Sequence, residues 1–190
     1  QLIIKEYPTA SAHSGHFRAL LNELSLKKTF KPDVVFIDYL NICASSRFKG
    51  GNISSYFYIK AIAEELRGLA VEFDVPIFSA TQTTRSGFVS TDIGLEDTSE
   101  SFGLPATADF MFAIMTNEEL DQLGQMKVKQ LKNRFGDPAI NRAFMIGVDR
   151  SKMRLFDVDA SAQNIVDSNQ SAEPQETPEQ AYEKFSDFKL

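Results

Sequence analysis

Two polar side chains follow directly after apolar runs of the kind that form buried strands. Asp38 comes after the run 34–37 (VVFI), and Gln82 comes after 75–81 (VPIFSAT). In open parallel sheets, ligands bind outside the carboxyl ends of the strands. A carboxylate there can hold a hydrated magnesium ion, and an amide can orient a water or sense a phosphate oxygen. The alternatives are a turn-capping role for Asp38 and a solvated loop position for Gln82.

A second group of candidate residues is cationic. The stretch 127–154 carries eight bases against two acids, although the whole chain has a net charge of −6. A local basic strip can bind phosphates whatever the global charge is. Lys132 and Arg134 lie in this strip, and the planar guanidinium of arginine suits phosphate oxygens better than the ammonium of lysine does. The alternative is a solvated basic face of an exposed strand.

The composition indicates a globular protein. The chain has 190 residues and is 43% hydrophobic, which is enough to bury a core. No apolar run approaches the ~20 residues that cross a bilayer, so no membrane partner is expected. Cys43 is the one cysteine, which excludes an internal disulfide and fits a reducing cytoplasm. Because Gln1 stands where an initiator methionine would be, we interpret the chain as a piece of a longer protein.

Apolar periodicity predicts alternating strands and helices. Residues 34–38 are predicted to form a strand that is buried on both faces. Residues 54–73 are predicted to form an amphipathic helix, and an earlier helix begins with Ser14 as its N-cap. Lys60, Glu64, Glu65 and Glu72 are among the charged residues outside the apolar stripe of the helix 54–73. Further strands are predicted at 2–4, 75–81, 109–115, 126–133, 143–149 and 153–158, and a short helix at 117–123.

This order of elements predicts an α/β domain over residues 1–158, with a mostly parallel sheet and an antiparallel C-terminal extension. The polar stretch 83–101 is long for a loop inside a compact domain, and loops of that length are often functional. Residues 159–190 carry a net charge of −5 and are rich in Ser, Gln, Glu and Pro. That composition predicts an acidic, disordered tail.

Two smaller groups have more than one interpretation. His13 and His16 are spaced so that both could face one metal, but with no third ligand nearby a surface or capping role is favoured. The aromatic residues 56–58 could stack on nucleic-acid bases. Packing in the core or between subunits is favoured for them, because they stand beside an amphipathic helix.

Four segments in a fixed order carry a family resemblance. They are 34–41 (VVFIDYLN), 65–85 (ELRGLAVEFDVPIFSATQTTR), 97–110 (DTSESFGLPATADF) and 128–138 (VKQLKNRFGDP). Together they resemble the C-terminal RecA-like motor domain of DnaB-type hexameric replicative helicases, especially the phage-type members. The resemblance extends over 2–158 and implies the core of a P-loop NTPase.

The resemblance implies roles for the strand-end and cationic residues. Asp38 would be the Walker B carboxylate, which coordinates Mg²⁺ through water, and Gln82 would sense the γ-phosphate of ATP. Lys132 and Arg134 match the Lys-x-Arg of the family, which reaches from one subunit to the nucleotide of its neighbour. Such an arginine finger is worth roughly 10³–10⁵ in rate.

The resemblance also implies a DNA-binding surface. The loop 46–52 and the stretch 85–103 correspond to segments that line the central channel and follow single-stranded DNA without reading bases. Candidate contacts are the side chains of Arg47, Lys49 and Arg85 and the backbone near Ser101 and Gly103; ordinary surface charge is the alternative. Ser99 stands where the family usually has arginine, so the grip on DNA would rely more on backbone and hydroxyl groups.

One family feature is missing from the sequence. No G-x-x-x-x-G-K-[ST] phosphate loop occurs, and no residue, Glu6 included, matches the catalytic glutamate. We expect both parts to lie upstream of Gln1, so this segment alone would not hydrolyse ATP.

The function implied is that of an ATP-dependent replicative helicase in the cytoplasm of a bacterial host. A homo-hexameric ring would move 5′→3′ on single-stranded DNA, unwind the fork, and work with primase and helicase-loader proteins. The alternatives are a recombinase or a KaiC-like signalling ATPase, and a non-enzymatic α/β interaction module.

Overall fold

The structure is a computed structural model that divides the chain into two compact units. It describes residues 1–48, 53–83, 93–95, 103–137, 140, 142–161 and 163. The first unit comprises Gln1–Ala113 and Gln130–Ile140, and the second comprises Ile114–Lys129 and Asn141–Leu190. Most of the predicted loop 83–101 and most of the predicted tail lie outside the described residues.

The described elements follow the predicted order, with one additional helix at Gly103–Thr107. Residues 2–4, predicted as a strand, adopt no regular structure. The helices are α1 (Ser14–Lys28), α2 (Ser55–Phe73), α3 (Gly103–Thr107) and α4 (Glu118–Gln122). The strands are β1 (Val35–Ile37), β2 (Ile77–Ser79), β3 (Phe110–Met115), β4 (Gln125–Asn133), β5 (Ala143–Asp149) and β6 (Arg154–Asp157). Strands β1, β2, β3 and β6 are shorter than predicted, β4 is one residue longer, and β5 has the predicted bounds. Single turns of 3-10 helix cover Leu40–Ile42 and Arg150–Lys152.

The strands form two sheets. Strands β1 and β2 pair in parallel, with Val35 opposite Ile77 and Ile37 opposite Ser79. The second sheet has the order β3-β4-β5-β6, and its β4–β5 and β5–β6 ladders are antiparallel. The α/β class and the antiparallel C-terminal part agree with the prediction. Among the described residues, β1–β2 is a parallel ladder and β4–β5 and β5–β6 are antiparallel; the mostly parallel character of the sheet stays a prediction.

The core of the first unit forms along one side of α2. Ile62 and Leu69 are almost fully buried, with 1% and 0% of their surface exposed. Ile62 and Leu66 belong to one cluster with Leu40 and Leu104, which follow β1 and begin α3. Full burial of such a side chain contributes about 1.5–3 kcal/mol. The apolar stripe of α2 therefore holds in place both the segment that follows β1 and the start of α3.

The prediction that β1 is buried on both faces is wrong. Phe36 is 72% exposed and stacks on Phe78, whose ring centroid lies 5.3 Å away. Ile37, the next residue along the strand, packs against the cluster beside α2. Because successive side chains of a strand point to opposite faces, α2 covers the Ile37 face. In the part of the chain that the structure describes, the Phe36 face remains largely exposed.

Helix α1 is capped by histidine, where the sequence predicts a serine cap. His13 is the N-cap residue, and its Nδ1 accepts a hydrogen bond from the Gly15 amide at 3.0 Å. His16 Nδ1 accepts one from the His13 amide at 3.2 Å. The capping role favoured for the two histidines is confirmed, and the hydroxyl of Ser14 is left to bind elsewhere.

Glu65 is buried, although the sequence places it outside the apolar stripe of α2. Its carboxylate accepts hydrogen bonds from the hydroxyls of Ser14 (2.7 Å), Ser45 (2.6 Å) and Ser46 (2.7 Å), and from the Ser46 amide at 3.0 Å. Burial alone would raise the pKa of Glu65, but these bonds outweigh it and lower the pKa to about 2. Glu65 therefore fastens the residues that follow the 3-10 turn to both α1 and α2.

The second unit is built from β-hairpins. Arg150 Nη2 donates to Asp121 Oδ1, which links the turn before β6 to α4. The side chain of Gln163 bonds both the amide and the carbonyl of Met145, each at 2.8 Å. Gln163 falls within the predicted tail, so ordered contacts extend beyond the predicted boundary at residue 158. Among the described residues, no helix combines the length and the apolar character needed to span a membrane.

We predict that Glu65→Gln lowers the free energy of unfolding at pH 7 by about 1–3 kcal/mol, because the charge-assisted bonds are lost. The pKa of Glu65 is lower in the folded chain than its ordinary value of 4.5. Its contribution is therefore fully present above pH 4.5 and is lost as the pH falls from 4.5 toward 2. The loss amounts to about 3 kcal/mol. Urea denaturation at a series of pH values measures both effects.

The matched control for this prediction is Glu64→Gln, on the neighbouring and more exposed position of α2. We expect a change of less than about 1 kcal/mol there, as for other surface ion pairs. Equal pH dependence in the wild type and in Glu65→Gln would contradict the buried role of this carboxylate.

Candidate functional site

Asp38 and Gln82 follow two neighbouring parallel strands and lie at the same edge of the sheet, the one formed by the carboxyl ends of these strands. The parallel register pairs Ile37 with Ser79, so Asp38 is the first residue beyond β1 at the level of Ala80. The hydroxyl of Ser79 donates to the Ile37 carbonyl at 2.8 Å and ties the two strand ends together. The structure thus brings the two predicted strand-end residues to one edge, while their roles remain predictions.

Polar contacts join the segments that follow the two strands. The Leu40 amide donates to the Ala80 carbonyl at 3.1 Å, and the Thr81 hydroxyl donates to Asn41 Oδ1 at 2.9 Å. Gln82 Nε2 donates to the Tyr39 hydroxyl at 3.2 Å. Sequence reasoning missed the roles of these partners. The available signal was that polar residues follow both apolar runs within a few positions.

The side chains at this edge fit a hydrated divalent cation. Asp38 is exposed, and its carboxylate has no hydrogen bond or ion pair within the described part of the chain. The peptide bond between Asp38 and Tyr39 is cis. Because Gln82 donates through Nε2, its carbonyl oxygen can accept a hydrogen bond from a water or a hydroxyl group. Oxygen ligands that keep part of a water shell are those that Mg²⁺ prefers.

Lys132 contacts α3, and Arg134 contacts the segment that joins α3 to β3. Lys132 Nζ donates to the Pro105 carbonyl at 2.7 Å. The backbone amide of Arg134 donates to the Asp109 carbonyl at 2.9 Å, and Arg134 Nη1 donates to Asp109 Oδ1 at 2.9 Å. The side chain of Arg134 is nevertheless 61% exposed. Hydrogen bonds within the protein therefore orient both cationic side chains, and the guanidinium group of Arg134 remains accessible.

A second guanidinium group completes this cluster from α2. Arg67 Nη1 donates to Asp109 Oδ2 at 2.8 Å and to the Thr107 carbonyl at 2.7 Å. The hydrogen bond from Arg134, and then that from Arg67, hold the pKa of Asp109 below its usual range. Sequence reasoning missed Arg67 and Asp109. The available signal was a pair of opposite charges, one on the predicted helix 54–73 and one at the start of the predicted strand 109–115.

The cluster borders a surface cleft of the first unit with a volume of about 520 Å³. The charged residues that line the cleft are Glu64, Arg67, Asp109, Lys132 and Arg134. Asp38 and Gln82 are not among its lining residues. The chain thus carries two separate groups of candidate residues, one at the strand ends and one at this cleft.

The predicted DNA-binding residues are only partly described. Arg47 is exposed and pairs with Glu64, with 2.5 Å between Nη1 and Oε2. Its backbone amide donates to the hydroxyl of Ser45, which Glu65 also binds. The other side-chain candidates, Lys49 and Arg85, and the backbone candidate Ser101 lie outside the described residues.

Gly103 begins α3 as a buried residue. A Cβ atom added there would lie 3.0 Å from the ring of Tyr56, so close packing on this ring favours glycine. Tyr56 also stands edge-on to Phe57, with their ring centroids 5.1 Å apart. These contacts agree with the packing role favoured for this aromatic group.

Comparisons with known proteins identify relatives of this chain. It is 44% identical over 159 residues to a DnaB-like replicative helicase of Enterobacteria phage T4. The match covers 84% of this chain and 34% of the phage protein, so the chain spans about a third of the length of that relative. No protein-family model matches the chain.

Two solved structures share the fold. One is described as a DnaB-like replicative helicase with its interactions with primase; it superposes with a TM-score of 0.66 at 20% identity. The superposition covers 78% of this chain and 35% of the helicase chain. The other is described as an ATPase domain, with a TM-score of 0.66 at 19% identity over 78% of this chain and 52% of that one. These two likenesses show the fold, and the sequence match to the phage T4 protein over 84% of this chain shows that the chain belongs to the DnaB-like replicative helicases.

Proposed function

We propose that this chain is part of the motor of an ATP-dependent replicative DNA helicase and supplies two halves of a nucleotide site shared between subunits. One observation carries the proposal: Asp38 and Gln82 lie on one surface, at the strand ends, whereas Lys132 and the 61% exposed Arg134 line a second surface, the cleft. Each surface alone lacks the groups that the other presents. A site formed where two copies meet would contain both.

At the strand ends, Asp38 would hold Mg²⁺ through water. The ion, when bound, supplies charge that neutralises the phosphates of ATP. Gln82 would use its amide oxygen to position a water or to register the presence of the γ-phosphate. Its bond to Tyr39 would then be the connection through which a change at the phosphate reaches the segment 39–41. The phosphate loop itself is not in this sequence, so another part of the full-length protein would provide it.

At the cleft, Lys132 and Arg134 would approach the nucleotide of a neighbouring copy. The charge that develops on a transferred phosphoryl group spreads over its oxygens, and preorganised cations stabilise it. A guanidinium offers five N–H donors in a planar fork. Arg134 uses Nη1 for Asp109 and is 61% exposed, so donors remain for phosphate oxygens.

The subunits would form a homo-hexameric ring around single-stranded DNA and move 5′→3′ to unwind the replication fork. Arg47 would contribute to DNA binding, with Lys49, Arg85 and the backbone near Ser101 and Gly103 as further contacts. Primase and a helicase loader are the protein partners that we propose. Primase is supported by the solved relative whose description names its interactions with primase. Since the sequence relative is encoded by a phage, the bacterial host cytoplasm is the proposed location.

We predict that Arg134→Ala in the full-length protein preserves ATP binding and ring assembly but lowers DNA-stimulated ATP hydrolysis about 10³-fold or more. Arg134→Lys should recover only part of the loss, because an ammonium cannot make planar, paired contacts with phosphate oxygens. Steady-state hydrolysis and unwinding of a forked substrate measure the effect.

Arg18→Ala is the control for this prediction, since Arg18 is also an ion-paired arginine of the first unit and is 44% exposed. It should hydrolyse ATP and unwind DNA at the wild-type rate. Wild-type turnover by Arg134→Ala would reject the trans-acting role. Strand exchange without unwinding by the wild-type protein would favour a recombinase.

We also predict opposite effects of two substitutions on single-stranded DNA affinity. Arg47→Ala removes one phosphate-binding charge and should make the negative slope of log K against log salt shallower by about 0.7. Glu64→Gln releases Arg47 from its ion pair and should strengthen binding at low salt. Fluorescence anisotropy with a labelled oligonucleotide, across a range of about 50 to 200 mM salt, measures both, and an unchanged slope for Arg47→Ala would exclude this contact.

A further inference from the structure

Asp109 lies between two guanidinium groups and gives one carboxylate oxygen to each. Oδ1 accepts from Arg134 at 2.9 Å, and Oδ2 accepts from Arg67 at 2.8 Å. Arg67 is anchored independently, because the same Nη1 also donates to the Thr107 carbonyl at 2.7 Å. The carboxylate is thus held from the side of α2 and offers a single oxygen to Arg134.

We propose that Asp109, braced by Arg67, is a positioning residue that aims the guanidinium of Arg134 at the nucleotide of the neighbouring copy. The inference rests on the proposed function, in which Arg134 acts in trans. Asp109 does not touch the nucleotide in this role. It restricts a long and exposed side chain to one orientation, so that the side chain need not be ordered during the reaction.

The single contact matters because a carboxylate and a guanidinium tend to pair through two parallel hydrogen bonds. A two-bond grip by Asp109 would occupy the fork of Arg134 that phosphate oxygens need. Arg67 prevents this grip by holding Oδ2. Loss of Asp109 therefore leaves Arg134 too loose, whereas loss of Arg67 leaves it held too tightly.

The backbone limits the structural consequences of changing Asp109. The Arg134 amide donates to the carbonyl of residue 109, and this bond persists whatever side chain stands there. Lys132 is anchored separately on the Pro105 carbonyl. A substitution at Asp109 therefore alters the aim of one side chain while the end of β4 keeps its backbone contact and its lysine anchor.

We expect Asp109→Ala to lower the DNA-stimulated kcat by about 10- to 100-fold, the range produced by a small misplacement of a catalytic group. The KM for ATP should change less than about twofold, because the contact matters most in the transition state. Asp109→Asn keeps Oδ1 as an acceptor and should lose less activity. Arg67→Ala should also lower kcat, and adding it to Asp109→Ala should have no further effect, since Arg67 acts through Asp109.

The decisive experiment mixes subunits of the full-length protein. Asp38→Asn has a defective strand-end site but an intact Arg134, whereas Asp109→Ala has an intact strand-end site but a misdirected Arg134. Each variant alone should be slow, and mixed rings should recover DNA-stimulated hydrolysis where an Asp38→Asn subunit completes the site of its neighbour. A defect confined to the subunit that carries it would not be rescued in this way.

Two references make the outcome decisive. Arg134→Ala mixed with Asp38→Asn should show the same rescue, and Glu72→Ala, which removes the ion pair with Arg18 in the same unit, should be fully active alone. If Arg134→Ala is rescued and Asp109→Ala is not, the positioning role is wrong and the proposed function stands.

If neither variant is rescued, the trans-acting site itself is wrong. Full activity of Asp109→Ala alone would also overturn the inference. Should Asp109→Ala fail to assemble rings, Asp109→Asn takes its place in the same mixtures, with the same outcomes.

Discussion

The burial of one side of α2 is the constraint on which both candidate surfaces depend. Ile62 and Leu69 fix the rotation of the helix, because turning either residue toward water would cost about 1.5–3 kcal/mol. With the helix fixed, Glu65 faces the serines after the 3-10 turn, and Arg67 faces Asp109. Glu65, which holds the start of the predicted DNA-binding loop, thus lies less than one helical turn from Arg67, which holds Asp109 beside Arg134.

The sequence predicted the parts of the site that depend on local pattern. An apolar run followed by a polar residue located Asp38 and Gln82 at strand ends, and the parallel register then placed those ends side by side. Burial of α2 followed from helical periodicity in the same way. The depth of β1 could not be predicted, because the exposure of Phe36 depends on which elements cover each face of the sheet.

Glu65, Arg67 and Asp109 escaped prediction for a different physical reason. A charge on an amphipathic helix is normally solvated, and only partners distant in the sequence make its burial favourable. For Glu65 those partners are hydroxyl and amide groups 19 to 51 residues away. Asp109 is only partly buried, but its ion-pair partners are likewise distant in the sequence: two arginines 42 and 25 residues away. A pattern of residue types within a short window contains neither arrangement.

The two polar clusters differ in what stability can explain. Hydroxyl and amide hydrogen bonds to a buried carboxylate lower the pKa of Glu65 to about 2, which corresponds to about 3 kcal/mol, so this cluster is sufficiently explained by folding. The pairs of Asp109 with Arg67 and Arg134 are 38 to 61% exposed, and exposed pairs contribute about 0–1 kcal/mol each. These pairs order the side chains of Arg67, Asp109 and Arg134 but contribute little stability. A requirement to orient Arg134 explains the arrangement better. A ligand that approaches the open side of Arg134 would benefit from that orientation, and the exposed guanidinium leaves this approach free.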